Sequence, residues 1–196
     1  MGAFKGAVDV GAHAIETDLH ISKDGVVVLS HVSLLFLLCP LLCSPNPPQD
    51  ATLKRCFGVS SKIIDCDWNY LRTLRTLREP HEPIPRLKDL LKFLTTPGLE
   101  EIWVLLDIKR DNDLDVMMRL IAEALAQVKP TKPWEQRIVL GCWGVSLTSC
   151  EDFFQRSRLT ILLGNISPTM LEVSAWIPNN IHRLQHTICP SILESP

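Results

Sequence analysis

Apolar and polar positions follow two different periods along the chain, and the switches between them mark out its elements. Near the N-terminus Phe4, Ala7 and Val8 share a helical face, and Gly11 is placed to end that helix. AIETDLHI (residues 14–21) changes to period two, which puts Glu16 and Asp18 on one side of a strand. SKDG is a turn, and VVVLSH (26–31), rich in β-branched residues, is a buried-type strand. ATLKRCFG (51–58) reads as a loop. IPRLKDLLKFL (84–94) brings Leu87, Leu90, Leu91 and Leu94 to one helical face and stops near Pro97. EIWVLLDIK (101–109) is a strongly apolar strand with a polar end. DLDVMMRLIAEALAQV (113–128) is the clearest helix, with Asp113 as its N-cap. QRIVLGCWG (136–144) and LTILLG (159–164) read as further strands, and from about Gly164 the periodicity fades.

Apolar strands alternating with amphipathic helices predict an α/β fold built on a parallel sheet. Strands that are apolar through most of their length and polar at their C-terminal ends predict a (β/α) barrel with its chemistry at that end. Four or five strands make the expected barrel a partial one, truncated at both ends.

One run breaks the pattern. Val32 to Gln49 covers 18 residues without a charged side chain; ten are apolar or Cys, and four are proline. Its apolar part, Val32 to Cys43, is 12 residues long, whereas a membrane span needs about 20. A family-specific insertion loop is the rival reading, although a surface loop should carry charged and hydrogen-bonding residues.

Composition narrows the function classes. A net charge of −2 and a pI near 6.3 give no electrostatic footprint for nucleic acid or an anionic membrane. Seven cysteines, an odd number without repeated C-x-x-C spacing, argue against a disulfide framework or a zinc site and read as reduced thiols of an intracellular protein. Met1 opens directly into an amphipathic segment, with no secretory signal pattern.

Three groups of residues that could do chemistry stand at predicted strand ends. The two carboxylates of E-T-D, Glu16 and Asp18, can hold a hard divalent cation. His31 ends the next strand as a candidate general acid or base. D-I-K supplies Asp107 as a third carboxylate and Lys109 as a cation for a phosphate. Taken singly, each has a plainer reading: a solvated acidic face, a structural histidine, a surface ion pair. Their joint placement on successive strand ends favours a site.

At these residues the chain resembles a known family. GAHAIETDLHISKDGVVVLSH, IPRLKDLL and VLLDIK resemble the glycerophosphodiester phosphodiesterases, and VLLDIKRDND followed by PWEQRIVLGCWG is most similar to the fungal branch that includes phosphatidylglycerol phospholipase C. The resemblance covers about Met1 to Gly144 apart from the odd run. It implies a TIM barrel that hydrolyses glycerol phosphodiesters with a bound divalent metal, Mg2+ or Ca2+. It implies Glu16, Asp18 and Asp107 as metal ligands, His31 as a catalytic acid/base, and Lys109 as a catalytic cation close to the phosphate. The family pattern His-Asp is restored by joining His31 to Asp50, so Val32 to Gln49 reads as a short intron translated in frame. Valine codons begin with GT and one glutamine codon is CAG, the two ends of an intron.

The family's His-Arg-Gly strand and Pro-Glu-Asn-Thr motif are not found in this sequence, and the likeness ends after about Arg158. The expectation is a partial phosphodiesterase domain over 1–158, interrupted at 32–49, followed by an unassigned tail over 159–196. The implied partner is a phospholipid or glycerophosphodiester substrate, with no nucleic acid and with a membrane surface for the full-length enzyme. With one of the two family histidines missing, this polypeptide is expected to be inactive. The alternative from another class is a non-catalytic βα fragment with a vestigial metal site. A third is a metal-dependent barrel acting on sugars, although aromatic walls for a sugar ring are not evident.

Overall fold

The computed structural model describes residues 1–30, 52–109, 111–143 and the strand at 160–164. His31, the run from Val32 to Gln49, and the tail beyond 164 lie outside the described residues. Among the described residues five strands form one sheet in the order β2-β1-β3-β4-β5. They are β1 (Ala14–Ile21), β2 (Val27–Leu29), β3 (Trp103–Ile108), β4 (Ile138–Trp143) and β5 (Thr160–Gly164). β1, β3, β4 and β5 run parallel, as the alternation of strands and helices predicts. The result is an open part of a (β/α) barrel.

Helix α1 (Gly2–Asp9) leads into β1 through Gly11, whose φ of 86° suits a residue without a Cβ. Between β2 and β3 come two single-turn helices, α2 (Lys54–Phe57) and α3 (Trp68–Leu71), and the longer α4 (Leu87–Leu94). Helix α5 (Leu114–Gln127) joins β3 to β4. The odd residues of β1, Ile15, Leu19 and Ile21, are buried in the same core as Leu106 of β3, Met117 and Ile121 of α5, and Leu87, Leu90, Leu91 and Leu94 of α4. Burying the four α4 leucines supplies about 6–12 kcal/mol before chain entropy is charged against it. Asp113 caps α5 as its position predicts, its carboxylate accepting from the Val116 amide at 3.0 Å.

Two expectations need correction. ATLKRCFG is not simply a loop: Lys54–Phe57 makes one helical turn, closed by Gly58 in the left-handed region with φ 74°. Four residues are too few to show a 3.6-residue period. The second strand is not a further parallel strand, because the tight SKDG turn folds β2 back antiparallel on β1, with Leu19 opposite Leu29 and Ile21 opposite Val27. The five-residue connection, 22–26, can only make a hairpin, since a parallel crossover needs a dozen residues or more. Residues 52–84 then pack around a second, smaller core of Leu53, Ile63, Cys66, Leu71 and Ile84 against Val28.

Candidate active site

Parallel register decides what the sheet brings together. β1 and β3 align with Asp18 opposite Asp107, so carboxylates 89 positions apart in sequence become neighbours. Glu16 stands one side-chain repeat before Asp18 on the same face. One carboxylate oxygen from each of Glu16, Asp18 and Asp107 lies within 4.8 Å of the others. Asp18 is 2% exposed and Asp107 8%, whereas Glu16 is exposed, so the cluster is sunk in the sheet and opens to solvent on the Glu16 side. Gly141 stands opposite Asp107 on β4, and a methyl there would come within 3.4 Å of Asp107 Oδ1.

Lys109, at the end of β3, reaches back over the cluster. Its Nζ donates to Asp107 Oδ2 at 2.6 Å and pairs with Asp18 Oδ1 at 3.0 Å. Burial disfavours its charge, but the hydrogen bonds and charges of the two aspartates outweigh that together and hold its pKa above the ordinary lysine value. The ammonium is therefore charged throughout the neutral range.

The loop after β3 is fixed by a residue that the strand pattern does not announce. Asn112 accepts from the Ile21 amide at 2.9 Å and donates to the carbonyls of Leu19 at 3.0 Å and Lys109 at 2.8 Å. Its side-chain amide continues the β3 ladder alongside β1 after β3 itself has ended. His20 is the third residue on the Glu16–Asp18 face and is 4% exposed. Its Nδ1 is 3.7 Å from Asp111 Oδ2, too far for a hydrogen bond, and has no hydrogen-bond partner among the described residues. The nearby ring still draws the Asp111 carboxyl below its usual range, with a smaller contribution from Lys62. Period two from Glu16 could have marked His20, whereas nothing local marks Asn112.

His31 lies outside the described residues. Ser30, the last described residue before it, donates from its amide to the Asp18 carbonyl at 3.1 Å.

Three converging carboxylates are a hard-oxygen donor set, which suits a hard divalent cation rather than a soft metal. Lys109 supplies the one cation paired with Asp18 and Asp107 among the described residues. Residues 1–153 match the model of the glycerophosphoryl diester phosphodiesterase family. The chain belongs to that family. Its members are phosphoric diester hydrolases that depend on a divalent metal.

Solved structures share the fold. A phosphodiesterase from Oleispira antarctica, in complex with the product sn-glycerol-3-phosphate, matches with a TM-score of 0.62 and 18% identity over 96% of this chain and 65% of its own. A glycerophosphodiester phosphodiesterase from Thermotoga maritima matches at 0.54 and 22%, over 94% of this chain and 62% of its own. A glycerophosphoryl diester phosphodiesterase from Parabacteroides distasonis matches at 0.55 and 19%, over 83% and 47%. The chain thus spans about half to two thirds of the length of these relatives.

Proposed function

We propose that this chain carries the metal- and phosphate-binding part of a phosphodiesterase that hydrolyses glycerol phosphodiesters, with phosphatidylglycerol as the substrate and diacylglycerol and glycerol phosphate as products. The observation that supports it most is the meeting of Glu16, Asp18 and Asp107 within 4.8 Å on neighbouring parallel strands of a family fold, with Lys109 bridging the two aspartates. Bare surface acids would not be buried as Asp18 and Asp107 are, which weighs against a fragment with no site at all.

In this reading Glu16, Asp18 and Asp107 hold one Mg2+ or Ca2+, which when bound would polarise the phosphodiester. Lys109 steadies a non-bridging phosphate oxygen as negative charge builds there. His31 manages a proton. Water attacks phosphorus, the bond from phosphorus to the diacylglycerol oxygen breaks, and that oxygen takes up the proton. The 196-residue polypeptide carries one of the two family histidines, and acid-base groups contribute about 10²–10⁴-fold each. It is therefore expected to bind metal and to show no turnover above background.

Calorimetric titration with Mg2+ and Ca2+ tests the site. A single saturable site should appear and weaken roughly 100-fold in Asp18→Asn, because the number of ligand charges sets affinity over decades. Absence of any saturable site would overturn the reading. Substrate choice is tested in a polypeptide that also carries the family's His-Arg-Gly strand, by diacylglycerol release from phosphatidylglycerol. Equal rates on the deacylated diester would move the assignment to water-soluble glycerophosphodiesters.

A further inference from the structure

The charge of the whole chain conceals a local excess. Residues 52–78 contain six Lys or Arg against Asp65 and Asp67, within a chain of 20 basic and 22 acidic residues. All six basic side chains are exposed. Three of them, Arg72, Arg75 and Arg78, recur every third residue through YLRTLRTLR. Among the described residues four large apolar side chains stand exposed, and three belong to this module: Ile64 at 39%, Tyr70 at 44% and Leu77 at 60%.

The module stands at the same end of the sheet as the carboxylate cluster. Its Cys66 carbonyl accepts from the Lys23 amide at 3.0 Å and its Trp68 amide donates to Asp24 at 2.8 Å, so it is tied to the hairpin turn at the C-terminal end of β1. Lys62 is near enough to act on Asp111, two residues after Lys109.

We propose that residues 52–78 form a docking surface for an anionic phospholipid bilayer, which brings the neighbouring site to its lipid substrate. The proposal rests on the reading of that site as one for a membrane phosphodiester. Arginines interleaved with exposed Leu and Tyr suit a bilayer interface, where the guanidinium groups meet headgroup phosphates and the apolar side chains enter the acyl boundary. A nucleic acid would use the charges and leave Leu77 and Ile64 in water.

Vesicle co-sedimentation of the 196-residue chain, in the presence of a chelator, tests the surface without calling on metal or turnover. Vesicles of mixed phosphatidylcholine and phosphatidylglycerol should retain the protein, pure phosphatidylcholine should not, and high salt should release it. Arg72→Gln with Arg78→Gln should weaken binding about 30-fold, each basic side chain near an anionic surface being worth about fivefold. Leu77→Ser should weaken it further while leaving the salt dependence unchanged. The charge-free run at 32–49 is common to every arm, so these differences belong to the module. Equal binding to neutral vesicles, salt-insensitive binding of the unaltered chain, or a folded double variant that binds like the parent would each overturn the proposal. So would preferential capture of single-stranded RNA that vesicles fail to displace. Failure to hydrolyse phosphatidylglycerol would leave the sedimentation result standing, and the converse holds as well.

Discussion

The two ends of the sheet each hold a positive charge, and they do it in opposite ways. At the N-terminal end of β4, Arg137 is 2% exposed. It donates from Nε to the Ile102 carbonyl at 2.9 Å, from Nη1 to Leu94 at 3.0 Å and from Nη2 to Leu99 at 2.7 Å, with its guanidinium 5.2 Å from the Trp134 ring. Its partners are neutral carbonyls, and the Leu94 carbonyl belongs to the negative end of the α4 dipole. At the C-terminal end Lys109 meets carboxylates, in a cluster with Glu16 that opens to solvent. A buried cation used as scaffold is satisfied by polar groups that carry no net charge and offer no room. A cation at a site for chemistry stands among more negative charge than it cancels.

If that contrast is right, the largest effect falls at the scaffold end. Arg137→Met takes a donor from the carbonyls of Leu94, Ile102 and Leu99, of which Leu99 keeps the Ile102 amide at 3.2 Å, and each buried carbonyl left unmet costs about 1–3 kcal/mol. The expected loss is about 3–5 kcal/mol of a total stability of about 5–15, read by chemical denaturation. A loss under about 1 kcal/mol would mean that Arg137 is no staple and would break the comparison.

At the opposite end the same kind of change should do something different. Lys109→Met removes an ammonium that shares Asp18 and Asp107 with any incoming cation. Mg2+ or Ca2+ should bind more tightly, by about 1–4 kcal/mol for one charge at a partly screened site. The variant should lose stability without metal and recover it with metal, as a differential melt would show. Unchanged metal affinity would say that Lys109 does not compete for the carboxylates. Asn112→Ala should cost about 2 kcal/mol, since it exposes the Ile21 amide and Leu19 carbonyl to an unmet hydrogen bond. Faster amide exchange at Ile21 would place that loss at the β1 edge.

What could be read from sequence follows the range of the interaction. The faces of β1 and the leucine stripe of α4 are local patterns, and both form in the fold. The pairs E-x-D and D-x-K are local too, which is why Glu16, Asp18, Asp107 and Lys109 could be singled out. That Asp18 lies opposite Asp107 is a matter of register, set by long-range pairing that no local window contains. Asn112 bonds across 91 and 93 positions, and Arg137 across 35 to 43. Arg137, a charged residue opening an apolar strand, looks like an ordinary solvated end until the fold places carbonyls around it. α2 and α3 escaped because single turns carry no period. The basic module escaped because opposite charges elsewhere cancel it in the total.

The smallest effect concerns a charge pair outside both of these groups. Arg86, ahead of α4, grips Asp89 through Nε at 2.9 Å and Nη2 at 2.8 Å, and its own amide donates to the same carboxylate at 3.2 Å. Burial pushes the Asp89 carboxyl up, but the Arg86 contacts more than reverse it and hold the pKa below the ordinary carboxylate value of about 3.8. A depressed carboxylate pKa stabilises the fold at pH values above the unfolded value, and that contribution disappears as pH falls through the folded one. Both side chains are roughly one-third exposed, so solvent screening limits the pair to about 1 kcal/mol or less. Asp89→Asn should therefore lose that amount at neutral pH, and the gap between variant and parent should close on acidification below about 3.8. A gap that stays constant with pH would assign the loss to the shape of the helix cap instead of to its charge. Arg137→Met should show no such closure, because neutral carbonyls do not titrate.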